Sequence, residues 1–171
     1  EAKAALSKEH GKDRVRAFRC DVTDEVSVRG SYAYALRELG GLDILVSNAG
    51  NSGATRAIPT QFVEMDPKDW AKYVDINFYA VLNGIHAVLP GMRARGHGRI
   101  ITIASDAGRQ GLAMGMSIYS GGKAAAMGFQ RSLACEVGPS QITVNTVSLG
   151  MIPGAGKALK QRIAGAPKVE A

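Results

Sequence analysis

Tyr119 and Lys123 stand four residues apart, separated by Ser120, Gly121 and Gly122. On a helix, positions i and i+4 share a face, so the phenol and the ammonium would project together. A phenol titrates near pH 10 and is a poor proton carrier at neutral pH. A cation held close favours the phenolate, which makes the group able to exchange a proton with an alkoxide. A bare Tyr-x-x-x-Lys also arises by chance on ordinary surfaces, so the pair needs company. Ser105 lies 14 residues before Tyr119, at the end of an apolar run, where a hydroxyl can hydrogen-bond a substrate oxygen. Asn77 sits among Val74, Ile76, Phe78, Tyr79, Val81 and Leu82. Asparagine is unfavourable inside a helix, and one that faces a core must find hydrogen bonds there. The plain alternative is an asparagine that faces solvent or bonds back to its own helix.

These residues need elements to position them, and the chain alternates helix and strand throughout. Glu1–His10 is rich in helix formers and stops at Gly11. Val15–Asp21 alternates apolar and polar residues as a half-buried strand does. Thr23 is the expected cap of a helix running to Leu39, ended by Gly40. Leu42–Val46 reads as a short strand buried on both faces of a parallel sheet. Asp66-Pro67-Lys68-Asp69 is a helix start with a cap, a first-position proline and early acid. That helix is expected to reach about Met92, bent near Pro90. Arg99–Ala104 is a further buried strand, Ile118–Val137 a helix closed by Gly138-Pro139, and Ile142–Val147 a last strand. One basic turn is expected around Lys157–Arg162.

Strand and helix alternating at this spacing predict an α/β fold: a Rossmann-like, doubly wound parallel sheet in a three-layer α/β/α arrangement, forming one domain over residues 1–171. Ligands of such sheets bind beyond the carboxyl ends of the strands. Those ends carry Asp21-Val22, Asn48-Ala49-Gly50, Ser105 and Ser148-Leu149-Gly150.

Composition narrows the function classes. Of 171 residues, 46% are hydrophobic and 21% charged, the proportions of a globular domain with a real core and not of a disordered chain. No stretch offers the roughly 18 apolar residues of a membrane span. The net charge of +6 comes from scattered residues. Its densest group, Arg93, Arg95, His97 and Arg99, lacks the interleaved aromatics of a nucleic-acid groove. Such a surface steers small anions without specific contact. Cys20 and Cys135 lack metal-type spacing and read as buried thiols of a reducing compartment, so the expected location is cytoplasmic, with no metal site.

Together these residues resemble the classical short-chain dehydrogenase/reductase family, with wording closest to its 3-oxoacyl-reductase-like members. The resemblance rests on Asp21-Val22, Asn48-Ala49-Gly50, Asn77, Gly98-Arg99-Ile100 leading to Ser105, Tyr119-x-x-x-Lys123, and Val144-Asn145-x-Val147 before Gly150. It spans nearly the whole chain. It implies an NAD- or NADP-dependent oxidoreductase that interconverts a carbonyl and a secondary alcohol. Tyr119 would be the general acid/base, Lys123 would assist it and hold the nicotinamide ribose, and Ser105 would steady the developing oxyanion. Asn77 would support a water chain resupplying protons through Lys123. Asp21 and Val22 would contact the adenine, Asn48, Ala49 and Gly50 would line the adenosine-side cleft, and Ile152 would meet the nicotinamide amide. A homodimer or homotetramer is implied, joined through helices whose outer faces carry Phe78, Leu82, Met127 and Phe129. Neither a nucleic acid nor a membrane is an expected partner.

Several positions depart from the family pattern. The interval from Ser105 to Tyr119 is one residue longer than usual, Leu149 replaces a proline, and Gly154 stands where a threonine is common. The glycine-rich turn that opens the family's first strand–helix unit does not precede Glu1. Gly154-Ala155-Gly156 is a poor substitute, and Ser120-Gly121-Gly122-Lys123 is no triphosphate-binding loop. In a doubly wound sheet whose order begins 3-2-1-4, Val15–Asp21 would then lack a neighbour and Leu42–Val46 would have a bare edge. The expectation is a fragment, or a chain whose N-terminal glycine-rich segment and C-terminal strand are omitted, which as given binds dinucleotide weakly or not at all. The competing reading is a non-catalytic fragment or relative serving as a binding or assembly module.

Overall fold

The structure is a computed structural model and describes residues 1–51, 60–111 and 115–150. Helix α1 covers Ala2–His10 and ends at Gly11, whose φ of 91° only glycine adopts comfortably. Helix α2, Glu25–Leu39, ends at Gly40 in the left-handed region. Its cap is Asp24, not the expected Thr23: the Asp24 carboxylate accepts from the Val26 N–H. Thr23 is engaged elsewhere, its N–H and hydroxyl both donating to Asp21 Oδ1.

Strand β1, Ile44–Ser47, pairs in parallel with β2, Gly98–Ser105, in a register that sets Ile44 beside Arg99 and Ser47 beside Thr102. Strand β3, Ile142–Leu149, pairs with the other side of β2, from Gly98 beside Ile142 to Ser105 beside Leu149. The sheet order is β1-β2-β3. Between β1 and β2 the chain forms α3, Trp70–Val74, a five-residue π-helical segment, Asp75–Tyr79, and α4, Ala80–Arg95. The expected start at Asp66 is present, its carboxylate accepting from the Lys68 N–H ahead of a 3₁₀ turn. Pro90 sits within α4, which runs on to Arg95 and stops at Gly96, again left-handed. Helix α5, Ser117–Val137, returns the chain from β2 to β3.

The core lies between the sheet and these helices. Val81, Ile85, Val88 and Met92 form one stripe along α4, and Ala126, Leu133 and Val137 form another along α5. Both meet Ile100 and Ile142 of the sheet. Each large side chain so buried contributes about 1.5–3 kcal/mol. Alternate residues of β2 (Gly98, Ile100, Thr102 and Ala104) face this core.

Two expectations about the strands are corrected here. Val15–Asp21 forms no strand, because a strand exists only where a neighbour accepts its backbone bonds, and none is present there among the described residues. The segment packs on α2 instead, with Phe18 set edge-on to Tyr34 at 4.9 Å and Arg16 paired with Glu38. Nor is β1 buried on both faces. Ile44 and Val46 are 56% and 53% exposed, since α4 and α5 cover one face of the sheet while these two side chains point to the other. The sulfur positions also differ from expectation: Cys20 is half-buried and Cys135 exposed. Leu133 and Val137 turn inward on α5, which leaves Cys135 on the outer side.

Candidate active site

Helix α5 carries Tyr119 and Lys123 on its first turns, as their spacing requires. Lys123 is buried, 5% exposed, and its ammonium donates to the Ile103 carbonyl at 3.1 Å. The same nitrogen lies 5.9 Å from the centre of the Tyr119 ring. Burial pushes the Lys123 pKa below its ordinary value, because desolvation disfavours the charged form.

Asn77 is fully buried within the π-helical segment. Its Nδ2 donates to the Tyr73 carbonyl at 2.9 Å and to the Asn51 carbonyl at 2.8 Å. Core-facing and locally back-bonded are thus both true of this residue. The second bond ties the loop after β1 to the helix. Asn77 Oδ1 is buried and has no hydrogen-bond partner among the described residues. A Cβ built on Gly50 would lie 3.0 Å from that oxygen and 2.9 Å from Lys123 Nζ, so three residues from three elements converge on one point.

Ser105 ends β2 and caps a short 3₁₀ turn, Asp106–Gly108, its Oγ accepting from the Ala107 N–H at 3.2 Å. With a lone pair engaged there, the hydroxyl proton is free to donate elsewhere. Gly108 seats this turn on α5: a Cβ at that position would lie 3.0 Å from Lys123 and Ala124 backbone atoms. Gly122 plays the matching part between Tyr119 and Lys123, where a Cβ would lie 3.2 Å from Asn77 Cβ. Gly121 faces open space. The two glycines of the motif therefore differ, one demanded by packing and the other not.

The remaining expected contacts lie farther along the strand ends. Asp21 is exposed, and the Thr23 hydroxyl and N–H that donate to it hold its carboxyl below the usual carboxylate range. The Val22 carbonyl accepts from Asn83 Nδ2 at 3.1 Å, pinning that loop to α4. Val22, Asn48 and Ala49 line a cavity of about 270 Å³ that follows the open side of β1 from Leu42 to Ala49. Asp21 is not part of its wall. Ile152, Gly154 and the basic turn at Lys157–Arg162 lie outside the described residues. Among the described residues no three histidine, cysteine or acidic side chains cluster as metal ligands, and no helix is long and apolar enough to cross a membrane.

Sequence reasoning missed the parts played by backbone and by small residues. The carbonyls of Asn51, Tyr73 and Ile103 carry no residue-type signal. The π-helical segment had one, an asparagine in an apolar run, yet its slipped bonding pattern is not visible in composition. Asp106, beside Ser105, belongs to no motif in the sequence, yet its carboxylate accepts from the Ser148 hydroxyl across the strand ends at 2.7 Å.

A parallel sheet flanked by helices, with Gly50, Asn77 and Lys123 converging beyond its strand ends, defines a Rossmann-like protein. The comparisons place it further. The family described as short chain dehydrogenase matches residues 1–161, and the chain belongs to that family. It is 38% identical to the acetoacetyl-CoA reductase of Cupriavidus necator over 132 residues, 77% of this chain and 51% of that one. It is 35% identical to a 3-oxoacyl-acyl-carrier-protein reductase of Vibrio cholerae over 140 residues, 82% of this chain and 55% of that one. Among solved structures, xylitol dehydrogenase with NAD+ bound superposes with a TM-score of 0.81 at 31% identity, covering 90% of this chain and 57% of the other. The chain spans about half the length of these curated relatives.

Proposed function

We propose that the protein is an NAD- or NADP-dependent oxidoreductase that interconverts a carbonyl and a secondary alcohol on a small molecule. The observation that carries this reading is the convergence of Lys123 Nζ, Asn77 Oδ1 and bare Gly50 backbone beside the Tyr119 ring. A buried Asn77 oxygen with no partner among the described residues, and a backbone cradle that a Cβ would fill, fit a polar group entering from the strand ends. Lys123 and Tyr119 would hold the nicotinamide ribose, and Asn48, Ala49, Gly50, Val22 and Asp21 the adenosine half, with Ile152 completing the nicotinamide end. The bound nicotinamide supplies the hydride chemistry.

The chain's own residues handle position and the proton. Ser105, with its lone pair engaged by the Ala107 N–H, donates to the substrate oxygen and stabilises the charge that develops there. Tyr119 passes a proton to that oxygen in reduction and removes it in oxidation. Lys123, held in place by the Ile103 carbonyl, sets a positive charge beside the phenol. Asn77 Oδ1 accepts from a water next to Lys123 and so connects the phenol to solvent. Two half-matching relatives are named acetoacetyl-CoA reductase and 3-oxoacyl-acyl-carrier-protein reductase, which makes short 3-oxoacyl compounds the first substrates to test. A cytoplasmic location belongs to this reading, supported by the two free thiols, Cys20 and Cys135. It is a dimer or tetramer paired through α4 and α5, whose groove is lined by Tyr79, Leu82, Leu89, Phe129 and Leu133.

Absorbance at about 340 nm, followed with NADH, NADPH and a panel of ketones and 3-oxoacyl thioesters, tests the proposal. Reduction of a carbonyl compound at the expense of either nucleotide is expected. Nucleotide binding without turnover of any carbonyl would favour a binding module instead.

A further inference from the structure

We propose that Asp106 is a positioning residue, locking the turn that presents Ser105 to the end of β3. The inference rests on the oxidoreductase reading above for its effect on turnover, and on geometry alone for the lock itself.

The turn has three anchors. Ser105 begins it, accepting from the Ala107 N–H at 3.2 Å. Gly108 presses it onto α5 at Lys123 and Ala124. The third anchor crosses from another strand: the Ser148 hydroxyl donates to Asp106 Oδ1 at 2.7 Å. Ser148 is opposite Ala104 in the β2–β3 register, so this bond closes the ladder one step beyond its last backbone pair on that side. The second carboxylate oxygen overlooks Gly150, where a Cβ would lie 3.4 Å from it. One side chain thus connects the serine turn to the strand end leading toward the proposed nicotinamide-side contacts. Arg109 Nη1 also approaches Oδ1, at 3.4 Å, but its side chain is 61% exposed and such pairs contribute little.

Misplacing a group that meets the substrate oxygen by about an ångström can cost a hundred-fold in rate. Losing the lock should act on that placement and leave the fold intact, because Asp106 is only half-buried and the β2–β3 ladder remains.

The test compares D106A, D106N, S148A, S148T, R109A and the D106A/S148A double variant in the full-length protein. Asparagine keeps an oxygen that accepts from Ser148, and threonine keeps a hydroxyl that donates to Asp106. With a carbonyl substrate, kcat should fall about ten- to a hundred-fold in D106A and S148A, with nucleotide affinity unchanged. The double variant should be no worse than either single, since both remove the same bond. D106N, S148T and R109A should keep near-wild-type kcat. Hydrogen exchange reads the lock without turnover. The Ala107 amide bonds to Ser105 Oγ, and the Arg109 and Gln110 amides bond to the Asp106 carbonyl. All three should exchange faster in D106A and S148A and at the wild-type rate in D106N. Unchanged exchange in D106A, or equal deprotection in D106N and D106A, overturns the lock. If the wild type turns over no carbonyl, the functional reading fails while exchange still decides the lock. Wild-type turnover with additive losses in the double variant sinks the positioning role alone.

Discussion

Gly50 presents bare backbone to Lys123: a methyl group there would lie 2.9 Å from the ammonium nitrogen. Both atoms in its way, Lys123 Nζ and Asn77 Oδ1, are the ends of side chains and can move aside. Gly50→Ala should therefore fold, with a melting temperature within a few degrees of wild type. The cost falls on the site, where Lys123 Nζ and Asn77 Oδ1 must shift from their present places. Turnover is expected to drop about ten-fold or more, the scale of a displaced catalytic group. Steady-state kinetics beside a thermal melt check this, and a variant with full kcat would show that the close approach is immaterial.

Tyr119→Phe tests the proton carrier directly. The ring and its neighbours are kept and only the hydroxyl is lost, so circular dichroism and melting should not change. General acid–base catalysis contributes about a hundred-fold or more, and kcat should fall at least that far. A variant retaining more than about a hundredth of wild-type kcat would remove Tyr119 from the role.

The Tyr119–Lys123 relationship was legible because a four-residue spacing on a helix is a purely local fact. Asn77 was legible for a similar reason, as a polar residue where local chemistry disfavours one. Asp24 rather than Thr23 as the cap was not, since both suit the role and the choice depends on Asp21 engaging Thr23. The strand expected at Val15–Asp21 failed because alternation describes a surface, whereas a strand also needs a partner. Gly108 and Gly122 stayed silent because close approach of two elements distant in sequence leaves no mark on either one alone. The overall α/β order was readable from alternating periodicities; the face of the sheet that the helices cover was not.

Burial of the Lys123 ammonium carries a consequence for stability. Its folded pKa lies below the ordinary value of 10.5, so between those two values the unfolded chain holds more protons than the folded one. Stability from this group therefore rises with pH through that window, and its burial cost is fully present below it. Lys123→Met, which cannot titrate, lacks that cost. The denaturation free energy of Lys123→Met minus that of wild type should be most positive at neutral pH and shrink as pH approaches 10.5. Urea melts across this range test it; a difference independent of pH would mean that the charge is accommodated without cost.

The helix pairing can be tested on its outer groove. Tyr79 is exposed, and Leu82, Leu89 and Phe129 are half-buried beside it, although Phe78 and Phe129 also pack against the core. An apolar groove on paired helices is a surface that a second copy would bury. Light scattering at micromolar concentration should give at least twice the monomer mass. Tyr79→Glu should lower it, because a charge at a closed interface has no partner. A wild-type monomer would remove the assembly.

Gly98 opens β2 directly against Met92, which has no exposed surface. A Cβ at position 98 would lie 2.6 Å from Met92 Sδ, 2.8 Å from Cγ and 2.9 Å from Cβ. The sulfur could swing away in open space, but the Met92 Cβ is fixed by the α4 backbone and the side chain is enclosed by the core. Gly98→Ala should therefore overpack the start of the strand, at a cost of about 1–3 kcal/mol. For a chain of this size each kcal/mol lowers the melting temperature by about 2–4 °C. Met92→Ala leaves a cavity and destabilises by about 2–5 kcal/mol by itself. In the double variant the new methyl group occupies part of that cavity, so its loss should be smaller than the sum of the two single losses. Thermal and urea denaturation of the four proteins closes this cycle. Strict additivity would show that Gly98 and Met92 do not compete for the same space.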